Sequence, residues 1–223
     1  TLRSYVLGAA PGTVSAEIEK YLKENPLDKN VKLLWGGEIK RQKESMGALG
    51  LAMGIGLMLV YLIMVALYDN FIYPFVVLFS ILVSLVGAIL ALNLSSSNMG
   101  IFTMLGMLML LGLVAKNAIL IVDFANHLKA EGRSTYSALL ESVRERMRPI
   151  LMTTIAMVIG MIPIATATGS GAEWKNGLAW VLIGGLTSSM FLTIVVVPIM
   201  YYVVDSLQVK FSKKKAKEIR LMD

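Results

Sequence analysis

The sequence predicts an all-α polytopic membrane bundle of five transmembrane helices, preceded by the end of an α/β subdomain. Three observations carry that reading. Hydrophobic residues make up 56% of the 223 positions and charged residues only 16%, whereas soluble domains carry about a quarter. Mean hydropathy is +0.69. Five stretches are apolar around their whole circumference, as helices solvated by lipid are.

Residues 1–44 come first and read as strand, helix, strand. "LRSYVLG" is a short strand candidate and "APG" a turn. Thr13 can cap a helix over "SAEIEKYLKE", with Glu17 and Glu19 near its positive end. "NPLDKN" breaks that helix, and "VKLLW" resumes as a strand before Gly36 and Gly37. So short a segment buries too little surface to fold alone, so it is expected to be the C-terminal end of a larger exterior α/β domain. It opens at Thr1 with no signal-peptide pattern. The chain is therefore expected to be the C-terminal piece of a longer polypeptide.

A membrane-spanning helix needs roughly 20 predominantly apolar residues. Within a transmembrane domain over 45–205, five segments qualify: 46–68, 71–94, 99–124, 149–168 and 177–204. The breaks are "YDN", "NLSSSN", a long charged loop and "GSGAEWKN". The loop holds Lys129, Arg133, Arg144, Arg146 and Arg148, and a basic tail over 206–223 holds Lys210, Lys213, Lys214, Lys215, Lys217 and Arg220. Two spans separate loop from tail, so both fall on one side, and the positive-inside rule makes that side cytoplasmic. Residues 1–44 then lie outside, where long translocated domains escape the rule.

Small residues at four-residue steps mark helix interfaces. They recur as Gly50 and Gly54, as Ser80, Ser84 and Ala88, as Ala156 and Gly160, and at Gly184 and Gly185.

Composition also excludes. There is no cysteine, hence no disulfide framework, thiolate metal site or cysteine nucleophile, and the lone His127 argues against a histidine metal site. No phosphate-binding loop or cofactor motif is present, so neither an enzyme nor a cofactor is expected. The net charge of +6 sits beside apolar segments without interleaved exposed aromatics, which fits membrane topology and not nucleic-acid binding.

The third span carries the strongest functional signal, "GLVAKNAILIVDF". A lysine well inside a span costs about 3 kcal/mol on insertion scales. Snorkelling to the headgroups is the bland explanation for Lys116. Gly112, Ala115 and Asn117 around it are an odd lipid-facing surface, and Asp123 is about 10 Å away along the axis. No acid lies mid-span: Asp69, Asp123 and Asp205 sit at span ends. Lys116 therefore needs a carboxylate from outside this chain. A buried lysine facing buried acids is the arrangement of a proton relay, because protonating the acids removes the attraction that holds the cation. In the fourth span Pro149 fits a first helical position, followed by Thr153 and Thr154. Read alone, those threonines bond their own carbonyls and the arginines before them anchor at headgroups.

"GLVAKNAILIVDFAN", "RERMRPILMTTIAMVIGMIPIATATGSGAE" and "VPIMYYVV", with "AAPG" and "ALYDNFIYPF", closely resemble the last transmembrane helices of resistance-nodulation-division efflux pumps, in the hydrophobe/amphiphile exporter branch. The resemblance implies that residues 1–44 end a periplasmic porter loop and that the five spans are the family's eighth to twelfth. It implies that Lys116 faces two aspartates of the fourth helix, that Thr153 is a relay threonine, and that Arg146 sits at the cytoplasmic entrance. It further implies a proton-driven homotrimer in the bacterial inner membrane, exporting small amphiphilic compounds with a periplasmic adaptor and an outer-membrane channel. The aspartate pair would lie in an N-terminal half outside this chain. The metal-exporting branch is disfavoured, since it lacks this lysine. A non-transporting membrane scaffold, or a truncated fragment of such a pump, is the alternative.

Overall fold

A computed structural model of the chain describes residues 11–25, 36–95, 97, 99–169 and 171–219. It contains six helices among the described residues: α1 (Pro11–Glu24), α2 (Gly37–Tyr68), α3 (Tyr73–Leu94), α4 (Ile101–Ala130), α5 (Thr135–Ala165) and α6 (Ala172–Ile219). Lipid offers no partner for backbone N–H and C=O groups, so a spanning segment must satisfy them within one helix. Five of the helices are long and apolar enough to do so, with spans Ile39–Tyr68, Tyr73–Leu94, Ile101–Ala130, Thr135–Ala165 and Trp174–Ser206.

Several boundaries differ from the sequence reading. The helix read over "SAEIEKYLKE" exists but starts at Pro11, ahead of Thr13. Both strand candidates, over 2–8 and 31–35, lie outside the described residues. Helix α2 begins at Gly37, so the stretch "EIKRQKES" extends the first span as one continuous helix. The long charged loop is almost entirely helical: α4 runs on to Ala130, and α5 starts at Thr135. Pro149 therefore lies inside α5 and does not open it. The start is fixed instead by Ser134, whose hydroxyl accepts from the Ser137 N–H at 3.3 Å, an N-cap bond that satisfies one orphan donor. Helix α6 continues past its span to Ile219.

Helices α3, α4 and α6 form the centre, and α2 and α5 flank it with mostly exposed apolar faces. Small residues decide how close the central helices come. A side chain added at Gly184 of α6 would stand 2.7 Å from the Gly87 carbonyl of α3 and on the Ala91 methyl. About two turns further along the same α3–α6 seam, buried Ser80 and Thr193 share a hydrogen bond at 3.0 Å. Gly106 of α4 meets the Leu178 carbonyl of α6 in the same way, at 3.2 Å. These approaches replace the hydrophobic force that lipid cannot supply between apolar helices. Gly50, Gly54 and Gly160 have nothing within 4 Å, so those motifs are not interfaces among the described residues.

Polar links hold the flanking helices. The Tyr68 hydroxyl of α2 donates to the Ile119 carbonyl of α4 at 3.1 Å. Buried Ser142 of α5 donates to the Ile121 carbonyl of α4 at 2.6 Å.

Candidate functional site

Helix α4 is the most enclosed element, yet one stripe of it is open. Met109, Gly112, Lys116, Asp123 and His127 are exposed, at spacings that place them on a single face. Lys116 is at the midpoint of Ile101–Ala130, deeper than the shorter span read from sequence placed it. Its neighbours Ala115, Asn117 and Ala118 are buried against the rest of the bundle. Among the described residues Lys116 makes no hydrogen bond or ion pair, and Asp123 makes none with it.

The other two candidates lie on α5. Thr153 is exposed, and its hydroxyl donates to the Pro149 carbonyl at 3.0 Å and lies 3.2 Å from that of Ile150. This is ordinary back-bonding to the i−4 and i−3 carbonyls of its own helix; the carbonyl that Pro149 deprives of its helical donor is that of Glu145, which Thr153 does not touch. Thr154 is the buried one of the pair, and its hydroxyl has no partner among the described residues. Arg146 does not extend as a headgroup anchor. Its guanidinium stands over the Phe124 ring of α4 at 5.1 Å, with Nε buried and unpartnered among the described residues. Arg146 is thus tied to α4, while no hydrogen bond or ion pair among the described residues joins it, Thr153 and Lys116 to one another.

A second polar cluster, missed by the sequence reading, closes the end of the bundle where α4 turns into α5. Asp205 of α6 is its centre, with a side chain only 12% exposed. One carboxylate oxygen takes Lys129 Nζ of α4 at 2.5 Å and the Tyr73 hydroxyl of α3 at 2.9 Å. The other takes the Thr135 hydroxyl of α5 at 2.8 Å. The Tyr73 and Tyr201 rings stack with centroids 4.7 Å apart and planes within 7°. Lys129 Nζ lies 5.4 Å from the Tyr201 ring centre, within cation–π range. The Tyr201 hydroxyl completes the group by donating to Asn126 Oδ1. A usable signal existed: the topology puts Lys129 and Asp205 at the same end of the bundle, so an acid and a base at two span ends were candidates for each other.

The comparisons with known proteins agree with this architecture. The chain is 41% identical over 203 residues to the "Swarming motility protein SwrC" of Bacillus subtilis (strain 168), covering 91% of this chain and 19% of that protein. It is 34% identical over 200 residues to the "Toluene efflux pump membrane transporter TtgB" of Pseudomonas putida (strain DOT-T1E), covering 90% and 19%. Over 208 residues it is 30% identical to the "Multidrug resistance protein MdtC" of Escherichia coli O9:H4 (strain HS), covering 93% and 20%. A crystal structure of a heavy metal efflux pump superimposes with a TM-score of 0.77 at 26% identity, covering 90% of this chain and 20% of the pump. The chain therefore spans about a fifth of the length of the proteins it matches. The family profile matches residues 3–205, and with this bundle and these relatives the chain belongs to the AcrB/AcrD/AcrF family of resistance-nodulation-division efflux transporters.

Proposed function

We propose that this chain is the C-terminal transmembrane portion of a proton/drug antiporter of the bacterial inner membrane, exporting hydrophobic or amphiphilic compounds. The single observation that carries the reading is Lys116. Its amine sits at the middle of the most enclosed helix, on that helix's one open stripe, with no partner among the described residues. An ammonium in hydrocarbon needs an opposing charge, and the open stripe supplies a face on which carboxylates of an N-terminal half can dock. Protonation of those acids would release Lys116, and the helices would shift to a new packing.

Arg146 serves in this scheme as the charged residue on the cytoplasmic side, held in place by Phe124. Thr153 is the polar relay member, one turn beyond Pro149 on α5. The basic loop end and tail face the cytoplasm by the positive-inside rule, which leaves residues 1–44 as the close of a periplasmic porter domain. The whole protein works as a homotrimer with a periplasmic adaptor and an outer-membrane channel. It is a secondary transporter that needs no cofactor. The names of the toluene and multidrug relatives support an amphiphilic substrate class.

The test is Lys116→Ala in the full-length protein, reconstituted in vesicles with an imposed proton gradient. Loss of gradient-driven export from a normally assembled protein is expected. Export at the parental rate would remove Lys116 from the mechanism, and absence of gradient-driven export by the parent protein itself would favour a scaffold.

A further inference from the structure

Helices α4 and α5 carry Lys116, Arg146 and Thr153, and they meet at a turn over 131–134. The Asp205 cluster grips that turn from both sides, through Lys129 just before it and Thr135 just after it. We propose that this cluster is a clasp that acts as the fixed pivot of the bundle, holding the α4–α5 corner against α3 and α6 while the middle of α4 moves. The proposal deepens the antiporter reading and rests on it for the motion at Lys116.

Three features support a pivot over an ordinary surface pair. One carboxylate from α6 is filled by donors from three different helices: Tyr73, Lys129 and Thr135. Rotating any one helix about its own axis breaks its bond to Asp205 and leaves a mostly buried charge short of a donor, which is costly. The stacked Tyr73 and Tyr201 rings and the Tyr201–Asn126 hydrogen bond add a second, independent link among α3, α4 and α6. At the level of Lys116 α4 packs through Val114, Ala115, Asn117 and Ala118, and its nearest links are two single neutral bonds, the Tyr68 hydroxyl on the Ile119 carbonyl and the Ser142 hydroxyl on that of Ile121. Among the described residues no charged group ties α4 there, and apolar contacts tolerate small shear. Lys116 stands about 20 Å along α4 from Lys129, so a tilt of about 3° about the clasp moves its backbone by about 1 Å.

The experiment uses the full-length protein on a cysteine-free background, with Thr135→Cys and Asp205→Cys together. Reduced, the pair breaks the clasp; oxidised, a disulfide closes the corner permanently. A fixed pivot predicts that the reduced protein exports about fivefold or more below the parent, a plausible scale for a coupling position. It also predicts a melting temperature lowered by at least about 4 °C. Oxidation restores both, with export within about twofold of the parent. An oxidised, folded protein that cannot export shows that the corner must open and overturns the proposal. So does a reduced protein that matches its parent in both measurements. If the cysteine pair does not accumulate, the near-isosteric Lys129→Gln with Asp205→Asn replaces it. Export and melting temperature at parental values there overturn the pivot, and a fall in both supports it. Lys116→Ala is run alongside: if it exports normally the coupling account fails, while the recovery of melting temperature on oxidation still decides whether the clasp fixes the corner.

Discussion

Two lysines on one helix show opposite solutions to the same cost. Lys129, near the C-terminal end of α4, has its carboxylate within this chain, at 2.5 Å on Asp205, together with two aromatic rings. Lys116, at the middle of the same helix, has no partner among the described residues. Lys129 lies against the rings of α3 and α6 and Lys116 on the open stripe of a membrane-spanning helix, and in lipid both require a negative charge nearby. The difference is where that charge comes from. A bond closed within one chain holds its helices in one arrangement. A cation whose partner must come from elsewhere can be held or released by that partner's protonation, so it is the one suited to a cycle. Under the antiporter reading, α4 would combine a static end and a switchable middle built from the same residue type.

The contrast can be broken most decisively at Lys116. Under the antiporter reading, Lys116→Ala in the full-length protein abolishes proton-driven export, read as substrate flux against an imposed gradient, while melting temperature stays within a few degrees of the parent. Asp205→Ala should instead lower stability together with export. It strands Lys129 and lowers stability by about 2–3 kcal/mol, short of a fully buried pair because Lys129 is partly exposed, read as a drop in melting temperature. Gly184→Val tests whether the apolar centre is as specific as the clasp. The new side chain meets the Gly87 carbonyl backbone, so a loss of about 2–3 kcal/mol is expected, read from thermal unfolding in detergent. Lys129→Met sharpens the comparison with a milder change. Asp205 keeps its Tyr73 and Thr135 donors, so the cost should be about 1–2 kcal/mol, less than that of Asp205→Ala. Thr153→Val is the smallest. Its hydroxyl already serves its own helix, so stability should move by about 0.5 kcal/mol or less. A fall in export without that stability change would separate a relay role from a backbone one.

Much of the fold was readable from residues alone. Each of the five spans is a continuous apolar stretch, and "YDN" and "NLSSSN" fall at observed helix ends, whereas "GSGAEWKN" is a break only at its start because α6 already begins at Ala172. The misplacements share a cause. The stretch before Pro149 is charged and looked like a loop, but Arg144 and Arg146 are good helix formers, and Ser134 supplies a start further upstream. Proline was taken as a beginning, whereas here it sits inside a long helix, which membrane-spanning segments tolerate. The small-residue motifs looked equivalent in sequence. Those on α3 and α6 are packed between helices, with Ser80, Ser84 and Ala88 buried and Gly184 against the Gly87 carbonyl, while Gly50, Gly54 and Gly160 meet nothing among the described residues.

Lys116 stood out because a charge amid apolar neighbours is a local anomaly. The Asp205 clasp did not, because none of its members is anomalous where it stands. Tyr73, Asn126, Lys129, Thr135, Tyr201 and Asp205 are ordinary residues at helix ends, where water and headgroups suffice for each singly.

The sequence by itself determined that this protein is a set of membrane-spanning helices with one misplaced cation, because hydropathy and backbone satisfaction are properties of each segment alone. The tertiary structure decided which polar groups meet. Tyr73 and Asp205 are 132 positions apart and Lys129 and Asp205 are 76 apart, and pairing across such distances depends on how the helices stack, which no single segment encodes.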